Sequence, residues 1–193
     1  MPQRASDGFW TPSAGESQYS LPTNLKLSNA NIIYTFFSDL GWTRLSICAM
    51  LGNMDIESRM NPLAELISAD SYGLVQWHPS SKLWNWATNL GLDYELGSVQ
   101  CQRIKYEWDN ELQWDVNDES DITFHDFTAY TENDITMARA VHLWRWLYEV
   151  ADPATEPQRL EWANYYYTHV HRLFPIWLLF KRRKELKPPC RRI

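Results

Sequence analysis

Cysteine is scarce: three residues, Cys48, Cys101 and Cys190, in a chain of 193, with no CxxC pair among them. A zinc ribbon is thereby excluded. At most one disulfide can form, and a chain this long buries enough core to need none. Cys48 falls in an apolar helical pattern and is expected as a buried thiol. Glycine is also sparse, at 7 residues, which excludes collagen-like and glycine-linker chains. The longest strongly apolar run near the C-terminus, 176–180, is far short of the roughly 20 residues that span a bilayer, so no transmembrane span is expected. The first 20 residues hold no apolar stretch of the kind a secretory leader carries. GxSxG, HExxH and P-loop patterns are lacking, as is any internal repeat.

Aromatic residues are abundant instead, with 11 Trp, 10 Tyr and 7 Phe. Charge is divided unevenly. The net charge of −6 separates into −13 over residues 1–171 and +7 over residues 172–193. An acidic body is poorly suited to gripping nucleic acid, whose phosphates it repels. The basic segment follows a short apolar block. It suits a docking or membrane-surface element, or a terminal helix packed on the body or on a neighbouring subunit.

Three segments follow from these patterns. Residues 1–28, rich in Ser, Pro and Gly, are expected to form an arm that takes its order from a partner. Residues 29–171 form the body, and residues 172–193 a basic tail. In the body, Ile32, Ile33, Phe36, Phe37 and Leu40 recur at three- and four-residue spacing from Asn29 to Gly41. Thr43 is a fitting cap for a second helix, which should stop near Ser58 because Asn61-Pro62 follows. Residues 63–79 change character and suit a small β-hairpin. Further helices are predicted at about 81–90, capped by Ser80 or Ser81, and at about 98–112, 124–128, 135–147 (capped by Asp134) and 156–170. The predicted class is α+β, mainly α, with one small β insertion. The Trp excess should be mostly core, with Trp144, Trp146 and Trp162 at helical positions.

Glu57 is the residue of greatest chemical interest. It lies at the predicted C-terminal end of a largely apolar helix, where the helix dipole disfavours a carboxylate. Burial against aromatics would act in the same direction. Both effects suit a general acid working near neutral pH. Cleavage of a glycosidic bond needs such an acid, because the bridging oxygen leaves poorly unless protonated. His169-Val-His171 has the look of a zinc-peptidase HxH pair, but no partner His-x(3)-Asp precedes it, so no metal and no cofactor are expected.

Gly52-Asn53-Met54, Glu57-Ser58, Asn61-Pro62 and Gly73-Leu74-Val75-Gln76-Trp77 together resemble the phage tail lysozyme family, within the lysozyme and lytic transglycosylase superfamily. Tyr148-Glu149 before Asp152-Pro153 and Ala163-Asn164-Tyr165-Tyr166-Tyr167 are similar to later stretches of that family. The likeness runs from about Ala30 to Val170. It implies a lysozyme-like helical body and cleavage of the β-1,4 bond between N-acetylmuramic acid and N-acetylglucosamine, with Glu57 as the acid. Asp70, in the β insertion, is the first candidate for a second carboxylate, with Glu65 and Glu149 behind it; Asp70 could equally cap a turn. A single-acid mechanism that closes a 1,6-anhydro ring is also permitted.

The resemblance further implies substrate contacts by Ser58, Tyr72, Gln76, Trp77, Glu149 and Tyr165. Ser58 could instead end the helix, Gln76 could bond backbone, and Trp77 could be core rather than a sugar platform. Gly73 is expected to allow a tight backbone approach. The implied partners are peptidoglycan strands and other tail proteins, the latter through the N-terminal arm and the basic tail. The implied location is the virion tail, with action on the cell wall during genome delivery. An inactive structural tail protein, a chitinase and an endolysin remain as rival readings.

Overall fold

The structure, a computed structural model, describes residues 1–18, 20–115 and 121–173. Most of the predicted basic tail, 174–193, therefore lies outside the described residues. The described residues hold seven α-helices and two small antiparallel sheets: β1 (Gln3–Arg4), β2 (Trp10–Thr11), α1 (Thr23–Asp39), α2 (Arg44–Ser58), β3 (Glu65–Leu66), β4 (Ser71–Tyr72), α3 (Ser81–Asn89), α4 (Gly97–Asp109), α5 (Phe124–Ala129), α6 (Met137–Trp144) and α7 (Glu156–His169). The class is α+β, mainly α, with a β-hairpin inserted between α2 and α3. Among the described residues no helix is long and apolar enough to cross a membrane.

The axis of the core is α2, whose residues from Leu45 to Asp55 are buried without a break. A helix buried all round must be covered on every side. Helices α1, α5, α6 and α7 do this, α7 most extensively. The polar residues inside α2 must then find partners. Asn53 donates to the carbonyls of Ala49 and Val141. Asp55 accepts from Lys26 at 2.8 Å, from Arg59 and from the Tyr166 hydroxyl. Ser58 donates to the carbonyls of Met54 and Leu74. Thr43 caps the helix through the Ser46 N–H. Arg59 and Met60, both left-handed, end it.

Gly52 sets the distance between α2 and α7. A Cβ placed there would come within 2.6 Å of the Ala163 Cβ and would also meet the Arg159 carbonyl. The opposing backbone cannot yield as a flexible side chain could. Overpacking of this kind costs about 1–3 kcal/mol. Gly52→Ala should therefore lower the melting temperature by roughly 2–12 °C, at about 2–4 °C per kcal/mol for a chain of this size. An unchanged melting curve would show that α7 can slide freely on α2.

Several elements depart from expectation. Residues 1–18 and 20–22 pack on the chain's own body. Phe9 is fully buried, the Asn29 side chain brackets the Trp10 backbone with two hydrogen bonds, and Asp7 accepts from the N–H of Ser98 in the first turn of α4. Helix α1 starts at Thr23, not Asn29, because Pro22 sets its entry and Lys26 reaches inward to Asp55. Thr136, not Asp134, caps α6; Asp134 bonds Thr131 instead. Ser80 precedes α3 but makes no side-chain cap, since its hydroxyl goes to Asp70. Cys48 is buried, as expected, and so is Cys101. Trp144 is fully buried and Trp162 packs against the core. Trp146 is 38% exposed, lying on the outer side of its turn against His142.

Candidate active site

An open cavity of about 570 Å³ lies between the end of α2, the β-hairpin and the segment after α6. Glu57, Arg59, Gln76, His78 and Glu149 contribute its polar wall, and Ile56, Leu66, Val75 and Ala151 its apolar one. The last turn of α2 delivers Glu57, whose side chain is 21% exposed. A π-helical turn, Arg145–Glu149, delivers Glu149, and Val150 ends it in a left-handed conformation that strains a β-branched residue. Single π turns of this kind often mark functional sites.

Arg159 on α7 joins the two carboxyls. One terminal nitrogen, Nη2, lies 2.5 Å from Glu57 Oε1 and the other, Nη1, 2.5 Å from Glu149 Oε2. Nη1 also donates to Asn53 Oδ1 and Nε to the Thr155 hydroxyl, so the guanidinium is held on every edge. The Trp144 indole donates to the remaining Glu149 oxygen at 2.9 Å. Glu149 is closed from bulk water, at 3% side-chain exposure. Burial foremost, then the charge of Glu57, pushes its carboxyl up to about 8; Arg159 and Trp144 act in the opposite direction without offsetting burial. Burial in this closed space keeps the proton on Glu149.

This proton has a consequence for stability. Unfolded, Glu149 ionises near the ordinary 4.5; folded, it retains its proton to about 8. Between those values the native state binds more protons than the unfolded state, so stability falls as pH rises. Glu107, also buried and also shifted upward, acts in the same direction. Thermal melts from pH 5 to 8 should show a declining melting temperature, and Glu149→Gln should flatten part of that decline. A slope identical in the variant would remove Glu149 as its source.

The other residues singled out from sequence are placed as follows. Gln76, left-handed at φ 51°, lines the cavity and donates to the carbonyls of Ala64 and Gly73. Gly73, at φ +86°, has the Gln100 amide against its back, where a Cβ would collide. Ser58 is buried and ties α2 to Leu74, so it offers nothing to a ligand. Trp77 is 2% exposed, its indole donating to Glu107, and cannot serve as an open sugar platform. Tyr72 is buried against Trp84 and Tyr94. Tyr165 lies outside the cavity wall, stacked on His169 at 4.2 Å. Asp70 is exposed, accepts from the Ser80 hydroxyl and is not among the cavity-lining residues. Glu65, in β3, is exposed and likewise absent from that wall. The structure thus brings Glu149 to Glu57, and brings neither Asp70 nor Glu65. Glu57 does not stand isolated among aromatics, since it is paired with a cation. Among the described residues, no group of His, Cys, Asp or Glu side chains is placed to hold a metal ion.

Arg159 was not anticipated, yet a signal for it exists. It lies four residues before Ala163 and seven before Tyr166, on the face of α7 that packs inward. A charged residue on a buried stripe requires an opposite charge or a hydrogen-bonding cage.

Comparison with known proteins agrees with the motif reading. The pattern of the family described as phage tail lysozyme matches residues 28–170. Morphogenesis protein 1 of Bacillus phage B103 is 36% identical over 146 residues, covering 72% of this chain and 38% of that relative. The chain thus spans well under half the length of the curated relative it matches. With the family's pattern running through α1, α2, the hairpin and α7, the chain belongs to the phage tail lysozyme family.

Proposed function

We propose that this chain is a phage-borne peptidoglycan glycosidase that cuts the β-1,4 bond between N-acetylmuramic acid and N-acetylglucosamine, with Glu57 as general acid. The observation that carries this reading is the position of Glu57. Its carboxyl is partly open to a cavity of about 570 Å³, and its rear is held by a buried guanidinium. In the reaction Glu57, entering in its acid form, gives its proton to the bridging oxygen as the glycosidic C–O bond breaks. Arg159 then stabilises the carboxylate left behind, from the place it already occupies. Glu149, closed from water, holds Arg159 in position. Water, or a hydroxyl of the muramoyl residue itself, traps the oxocarbenium-like centre and gives its proton to the Glu57 carboxylate, which restores the acid. Left-handed backbone at Arg59, Gln76 and Val150, all on or beside the cavity wall, supports a functional site, because such strain persists only where the surroundings enforce it.

Delivery by the tail, action on the wall during genome entry, and contacts with other tail proteins through residues 1–28 and 172–193 belong to the same proposal. The family description supports a phage setting. A second reading, an assembly protein without activity, draws support from the name of the relative, a morphogenesis protein. Digestion of purified host wall followed by mass spectrometry of the soluble products decides between them. Products with a reducing end indicate a muramidase. Products lighter by one water indicate a transglycosylase. No released glycan from the correct host's wall leaves the assembly reading in possession.

A further inference from the structure

The cavity at Glu57 does not end there. A second chamber of about 300 Å³ continues from it, sharing Val75, Gln76, His78 and Glu149. Its far wall is formed by Lys82, Gln113, Tyr148 and Val150. That volume is at the low end of small-molecule sites and begins directly beside Glu149. Lys82, in the first turn of α3, is exposed, and its ammonium donates to the Gln113 side-chain oxygen at 2.9 Å. Among the described residues it pairs with no carboxylate.

This is an unusual cation for its setting. Residues 1–171 carry a formal charge of −13. Such a body repels anionic polymers at long range. An ammonium on the chamber wall that spends one of its three donors on Gln113 offers a local exception. Exchanging an amide oxygen for a carboxylate would convert a neutral hydrogen bond into a charge-assisted one, which is shorter and stronger. A neutral polysaccharide offers this position only uncharged acceptors, which give no charge-assisted bond.

We propose that the second chamber, with Lys82 on its wall, takes a carboxylate-bearing branch of the glycan and so selects anionic wall strands over neutral ones. The branch chemistry is that of the muramoyl side group: the carboxylates of its peptide, or the lactyl carboxylate where no peptide is attached. This inference rests on the glycosidase reading for its substrate class, but its test is one of binding.

Glu57→Gln protein, which leaves strands uncut, is titrated with three soluble glycan preparations: native strands, strands whose carboxyls have been coupled to methylamine, and strands stripped of peptide that keep the lactyl carboxylate. Native strands should bind about three- to fivefold more tightly than amidated ones, the range of a partly exposed ion pair. Stripping frees the lactyl carboxylate from its amide bond to the peptide, so stripped strands show which group suffices: affinity like the native means that a lactyl carboxylate can fill the chamber, affinity like the amidated that the peptide's own carboxylates are needed. Adding Lys82→Gln should weaken native-strand binding by the same factor and abolish the difference between native and amidated strands. Raising salt to about 0.5 M should shrink the difference in the parent protein. Equal affinity for native and amidated strands, discrimination that survives Lys82→Gln, or no strand binding at all overturns the proposal. Wall digestion by the unmutated chain is read separately, so selective binding without cleavage refutes the activity and leaves the chamber's role standing.

Discussion

Glu57→Gln is expected to lower the rate of the proposed wall cleavage by about 10²–10⁴-fold, the usual contribution of a positioned general acid. The expectation follows from what glutamine keeps and what it loses. Its side-chain oxygen can still accept from Arg159 at the position of Oε1, so the buried guanidinium keeps a partner on that side. Its amide cannot transfer a proton to a glycosidic oxygen. Folding should therefore be little changed while turnover collapses, and paired thermal melts and product-release assays read the two effects independently. Asp70→Asn is the companion measurement. Asp70 is exposed and bonded to Ser80, away from the cavity wall, so its replacement should leave the rate within about threefold, well below a general acid's contribution. A Glu57→Gln protein that clears wall at close to the unmutated rate, or an Asp70→Asn protein that loses activity, would move the chemistry to another carboxyl.

Arg159→Met has the largest expected effect on stability. The arginine side chain is 2% exposed and contacts Glu57, Glu149, Asn53 and Thr155 together. Removing one member of a buried charged cluster costs about 3–5 kcal/mol, because the remaining polar groups stay buried without their partner. Glu149 already holds its proton at neutral pH, with its carboxyl pushed up to about 8. The loss should accordingly be at the low end near pH 6 and grow toward pH 9, where the unpaired carboxylate would have to ionise in a closed space. Denaturant unfolding at the two pH values measures this. Arg159→Lys retains the charge but cannot span both carboxyls with a rigid fork, so it should recover only part of the stability. Combining Arg159→Met with Glu149→Gln should cost less than the sum of the two changes, the mark of contacting residues. Additive costs would mean that the two side chains do not act on each other.

Both experiments address a site whose halves were unequally legible. Glu57 could be found because its surroundings are local. An apolar helical pattern, a stop before Asn61-Pro62 and a Gly-Leu-x-Gln turn downstream are all short-range features. The hairpin at 65–72 could be found for the same reason. Trp77 and Ser58 were harder, because the same residue types suit a sugar site and a core equally well. The choice was made by Glu107 on α4, which takes the Trp77 indole, and by the Leu74 carbonyl, which takes the Ser58 hydroxyl. Residues 1–22 misled because Ser, Pro and Gly lower the apolar period. The few apolar anchors there, Phe9 and Leu21, are nonetheless buried.

By itself the amino-acid order determined where most helices run, where α2 stops and which carboxyl stands at its end, since these depend on spacing and on neighbours within a few residues. Only the packed structure decided which second carboxyl joins Glu57. Arg159 is 102 residues away along the chain. It arrives because α7 can press against the bare backbone at Gly52, and because a π turn rotates Glu149 toward the same guanidinium. Contacts between distant charges are a property of how helices approach one another, and no local pattern encodes that distance.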